Sequence, residues 1–111
     1  MSDIKELQNN IKELVAHINK THNHDKPELI SFMKASEEMG EIAQVLLSSQ
    51  IKSRKNDQLS KEEVKEELGC EVADCIIALI SLANDFDVDL KEVLDKKMKK
   101  HIDRNVTGKK D

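Results

Sequence analysis

The stretch SKEEVKEELGCEVADCIIALISLAND, residues 60–85, decides the fold. It opens on Ser60-x-x-Glu63, in which a hydroxyl accepts from the backbone three residues on and the acid there reaches back, so a helix is predicted from 61 onward. Its second half, Cys75-Ile76-Ile77-Ala78-Leu79-Ile80, is apolar around most of the helix circumference. Such a helix is buried on several sides. The nearly apolar run from Val72 to Ala83 is interrupted by Asp74 and is too short and too polar to span a membrane.

Outward from this helix the same capping signature recurs at Asp3-x-x-Glu6, Asp25-x-x-Glu28 and Asp89-x-x-Glu92. The polar gaps THNHDK, KSRKNDQ and NDFDV separate the segments, which gives helices near 3–21, 27–51, 61–85 and 90–104. The first carries one apolar stripe, Ile4, Leu7, Ile11, Leu14, Val15 and Ile18. The second is broadly apolar at Ile42, Ala43, Val45, Leu46 and Leu47. One Pro and three Gly leave little to interrupt helices, and no strand pattern or tandem repeat is present. The expected fold is all-α: a four-helix chain with a central helical hairpin, assembling into an oligomeric helical bundle. A single domain over residues 1–106 is expected, with a basic flexible tail at 107–111 and the most exposed loop at Lys52–Leu59.

With 111 residues the chain has room for one core. A net charge of −4, two Phe and neither Tyr nor Trp argue against nucleic acid as a partner, which calls for a basic surface and stacking rings. The N-terminal MSDIKELQNN lacks an apolar export segment, so a cytoplasmic location is expected. Cys70 and Cys75 have no CxxC spacing and read as reduced, small core residues, with Met33 and Met39 likewise in the core.

The placement of acids carries the chemistry. Glu37-Glu38-x-x-Glu41 lies in the middle of the second helix, and Glu71-x-x-Asp74 in the middle of the third, each directly ahead of the most apolar run. Carboxylates at i and i+3 share a helix face. A solvated face explains one such pair. Two pairs on successive buried helices, which meet if the helices are antiparallel, instead favour a cation held by Glu38, Glu41, Glu71 and Asp74. Burying unpaired carboxylates is costly, and an all-oxygen set suits Mg2+, with Mn2+ as a substitute. A di-iron bundle needs Glu three residues before His, a spacing that none of His17, His22, His24 or His101 has. The histidines and cysteines also lack zinc spacing.

These residues resemble the EExxE…ExxD signature of the MazG-like, all-α nucleoside triphosphate pyrophosphohydrolases. SEEMGEIAQVL is similar to the first half, and KEELGCEVADCIIALISLANDFDVDLKEVLDKKMKKHIDR to the second half and the family's fourth helix. The resemblance implies Mg2+-dependent cleavage of a nucleoside triphosphate between the α and β phosphates, giving the monophosphate and pyrophosphate. Mg2+ held by Glu38, Glu41, Glu71 and Asp74 fits that chemistry, and Glu37, adjacent but one helix position round, is expected to contact water and act as the general base. Lys97, Lys100 and Arg104 form one basic stripe suited to the outer phosphates. Phe32, Asn84, Asp87 and His101, the last where many members carry Asn, are the weaker candidates for substrate contact. A homodimer or homotetramer is expected, as is removal of non-standard or surplus dNTPs. Alternatives are a phosphoribosyl-ATP pyrophosphatase, or a non-catalytic helical module using the acids as an ion site or partner surface.

Overall fold

A computed structural model describes residues 3–22, 26–50 and 59–108. It contains α1 (Ile4–His22), α2 (Pro27–Gln50), α3 (Lys61–Asp85) and α4 (Leu90–Ile102), followed by a π-helical turn at Asp103–Thr107. No strand occurs among the described residues. The expected cap at Asp25, most of the expected 52–59 loop and positions 109–111 of the expected tail lie outside the described residues.

The described caps form as their sequence requires. Asp3 Oδ1 accepts from the Glu6 backbone N–H at 2.9 Å, and Asp89 Oδ1 from that of Glu92 at 3.2 Å. At α3 the box closes both ways: Ser60 Oγ accepts from Glu63 N at 3.2 Å, and Glu63 Oε1 accepts from Ser60 N at 3.1 Å. Ser60→Ala removes one of these bonds and is expected to cost about 1 kcal/mol, read as a lower midpoint in urea unfolding. At its far end α3 stops where Asp87 adopts φ 55°, a left-handed conformation that an Asp side chain tolerates. The sequence placed the fourth helix to residue 104; regular α-helix ends at Ile102, and the helical path continues as the π turn until Gly108 at φ 75°.

Helices α2 and α3 pack along their length as the central hairpin. Their register is antiparallel: Ser31 meets Ser81, the Cys75 thiol faces the Ala35 carbonyl at 4.0 Å, and Glu38 meets Glu71 and Asp74. Small residues, Ala35, Cys75 and Ala78, fill the layer between and let the two backbones approach. Ile80 and Val45 add bulk to the core, and Ile11 brings in α1.

A buried glutamine fastens α1 to the end of α3. Gln8 Nε2 donates to Asn84 Oδ1 at 2.9 Å and to the Val88 carbonyl at 3.0 Å, while its Oε1 accepts from Leu90 N at 3.0 Å. Asn84 Nδ2 returns a bond to the Gln8 carbonyl at 3.0 Å. Helix α4 leans on α1, and none of its residues is buried.

Three of the expected core residues are corrected. Cys70, Met33 and Met39 are exposed. Cys70 lies five positions before buried Cys75, about 140° around the helix, and Met39 follows buried Glu38 by about 100°. Apolar character alone does not say which face a neighbour covers. Leu46, Leu47, Ile76, Leu79, Val93 and Met98 are exposed too, so within one chain the broad apolar faces are only partly covered. No helix among the described residues is long and apolar enough to cross a membrane.

Candidate metal centre

The antiparallel register brings together the acids singled out from the sequence. Oxygens of Glu37, Glu38 and Glu41 lie within 4.8 Å of one another, and so do oxygens of Glu38, Glu71 and Asp74. Glu38 belongs to both groups and is their pivot. It is 4% exposed, whereas Glu37 and Asp74 are open to solvent and Glu41 and Glu71 are half-buried.

Buried carboxylates need donors, and this cluster has few. Lys34 Nζ reaches Glu38 Oε1 at 3.2 Å and Glu37 Oε1 at 3.7 Å from a side chain that is itself exposed. Glu38 Oε2 and Glu71 Oε2 are buried with no donor in reach. Hydrogen bonding with Glu41 and then Glu38, together with burial, pushes the Glu71 carboxyl up to about 7, because a proton on Glu71 relieves the repulsion among the three. At Glu38 burial pushes upward, but hydrogen bonds with Glu71, Lys34 and Glu41 outweigh it and hold this carboxyl below its ordinary value.

The two shifts act in separate pH windows. Glu71, raised in the fold, contributes its stability below the ordinary carboxylate range and loses it as pH climbs through about 7. Glu38, lowered in the fold, loses its contribution only as pH falls below that range. In chelator the melting temperature is therefore expected to fall between about pH 5 and about pH 8, and Mg2+ to flatten that slope. A flat profile without metal, read by circular dichroism, would show that the acids do not face one another as described.

The donor set fits a hard divalent cation. It is all oxygen, comes from two helices, and leaves two buried carboxylate oxygens with no hydrogen-bond partner. Next to it a cleft of about 470 Å3 opens between α1, α2 and α3, lined by Glu38 and Asp74, by Ser31 and Ser81 two turns from them, by Pro27 and Ile30 beyond the serines, and by Lys34.

Other sequence candidates are placed elsewhere. Phe32 is exposed and is not part of the cleft wall. Asn84 and Asp87 line a separate pocket of about 210 Å3 beside α1, and the Asn84 amide is committed to Gln8. Lys97, Lys100, His101 and Arg104 are exposed on α4 and the π turn, outside the cleft wall. Sequence reasoning missed Lys34 and the serines. Lys34 stands one helical turn before Glu38, the spacing of an i,i+4 ion pair; the serines stand seven residues from Glu38 and Asp74, two turns along the same faces. No family model, no curated protein and no solved structure matches the chain.

Proposed function

We propose that this protein is a Mg2+-dependent nucleotide pyrophosphohydrolase of the MazG-like all-α kind, converting a (deoxy)nucleoside triphosphate to the monophosphate and pyrophosphate. The observation that carries the reading is the pair of buried, unpartnered oxygens, Glu38 Oε2 and Glu71 Oε2, where acids of two helices converge beside a nucleoside-sized cleft. Glu38, Glu41, Glu71 and Asp74 would hold Mg2+ or Mn2+, which supplies neutralisation of phosphate charge and orientation of water. Glu37, solvent-facing at the edge of the cluster, accepts the proton of the attacking water. Lys34, already poised over the carboxylates at 3.2 Å, is free to turn its ammonium to the phosphates once the acids are neutralised.

Lys97, Lys100 and Arg104 enter through association. The uncovered apolar residues of α2, α3 and α4 support a homodimer or homotetramer, in which the basic stripe of one protomer serves the phosphates held by another. Pyrophosphate release with Mg2+ across canonical and modified NTPs and dNTPs, with phosphoribosyl-ATP in the panel, tests the reading beside a Glu41→Gln control. Monophosphate plus pyrophosphate, lost in the control, is the expected result. Silence across the panel while Mg2+ still raises the melting temperature would overturn catalysis and leave a helical ion-binding module.

A further inference from the structure

The cleft has two polar layers joined by apolar walls. Ser31 and Glu38 are seven residues apart on α2, and Asp74 and Ser81 seven apart on α3, so the antiparallel register stacks a serine layer about 10 Å from the carboxylate layer. Between them stand Ile77 and Ala78 of α3 and Lys34 of α2, with Ile30 and Pro27 beyond the serines and Val15 and Ile18 of α1 lining the same cleft. A nucleotide whose phosphates sit at the carboxylates would lay its ring along these walls and present the ring's far edge to the serines.

The serine layer has a fixed hydrogen-bond polarity. Ser31 Oγ donates to Asp85 Oδ2 at 2.8 Å, because a carboxylate oxygen can only accept. Its single hydrogen is thereby spent, so in the 3.1 Å contact between the two hydroxyls Ser81 is the donor. Both hydrogens then point along the chain toward Asp85, and what remains on the two oxygens is lone pairs alone. Both serines are buried, so a group meeting them meets little water. The other polar side chains of the wall are the carboxylates Glu38 and Asp74, two turns away, and Lys34, one turn from Ser31, whose ammonium is paired with Glu38 at 3.2 Å.

We infer that Ser31 and Ser81, polarised by Asp85, read the nucleobase and select a heterocycle bearing an exocyclic amino group over one bearing a keto oxygen at the same position. This rests on the pyrophosphohydrolase reading. An amino group brings hydrogens to unfilled lone pairs, whereas a keto oxygen would face the two hydroxyl oxygens as acceptors only and be left buried without a donor. Ring size is not what the serines sense, so the preference follows the amino group in pyrimidines and purines alike.

The test uses ring pairs that differ at that group: dCTP against dUTP, and dATP against dITP. In the wild-type protein with Mg2+, kcat/KM is expected to favour the amino member of each pair by on the order of tenfold or more. Asp85→Asn supplies a carboxamide that can donate to Ser31 Oγ, so both serine hydrogens can turn into the cleft; the ratio is expected to fall to about one or to invert. Ser81→Ala should lower the ratio without inverting it. Equal rates for amino and keto partners in the wild type, or an unchanged ratio in both variants, would overturn the inference while hydrolysis itself stands. If no triphosphate is cleaved, the enzymatic reading fails instead. Selectivity is then read from thermal stabilisation of the full chain by dCMP and dUMP: a larger shift with dCMP supports the serine readout, and equal shifts overturn it.

Discussion

Glu38→Gln is expected to reduce pyrophosphate release by on the order of 10²–10³-fold, the loss typical when one charge-stabilising group is removed, and to abolish stabilisation by Mg2+. The same change should leave the metal-free protein no less stable at about pH 8, where Glu71 has lost its proton and no longer donates to Glu38. Three effects decide the sign. The ion pair with Lys34 is lost, but Lys34 is exposed, and exposed pairs contribute little. Repulsion between Glu38 and Glu41 or Glu71 disappears. A carboxamide also brings a donor to a place where Glu71 Oε2 has none. Melting curves in chelator and in Mg2+, taken beside the activity assay, check all of this together. A melting temperature several degrees below wild type in chelator at about pH 8 would identify Glu38 as a structural anchor and not a ligand held at the expense of stability.

Gln8→Ala should have the largest effect on the fold. Truncation removes three side-chain hydrogen bonds and leaves Asn84 Oδ1, the Val88 carbonyl and the Leu90 N–H to find water in a part-buried place. A loss of about 2–4 kcal/mol is expected, from roughly 1 kcal/mol for each bond plus the cost of any group left unpaired. Because Leu90 opens α4, that helix should loosen from α1 before the hairpin melts. Hydrogen exchange checks the order: earlier exchange in α4 than in α2 and α3 is expected, and uniform loss of protection would contradict it.

Helix number, starts and pairing were legible because they depend on local chemistry. Asp3, Ser60 and Asp89 each carry a cap that works within four residues, and a partner three positions on is visible in one dimension. The acid cluster was legible for a similar reason: Glu38 and Asp74 stand in apolar company that a solvated carboxylate would avoid. The Gln8 clasp was not, since its partners lie about eighty residues away and a glutamine in a polar stretch carries no mark of burial. Nor was the serine layer, because Ser31 and Ser81 gain meaning only from their mutual register and from Asp85. Cys70 shows the converse limit: its residue type argued for burial, and its angle on the helix decided otherwise.

The two-turn spacing shared by α2 and α3 also bears on which sequence changes the protein tolerates. Point substitutions in the apolar walls change the shape of one spot, but gaining or losing a single residue between Ser31 and Glu38 turns one layer about 100° relative to the other. The same holds between Asp74 and Ser81. Relatives that keep this site should therefore vary freely in composition across those two segments while keeping their length, and length differences should gather outside them. Conserved spacing, more than conserved identity, is the trace by which such a cleft can be followed among diverged sequences.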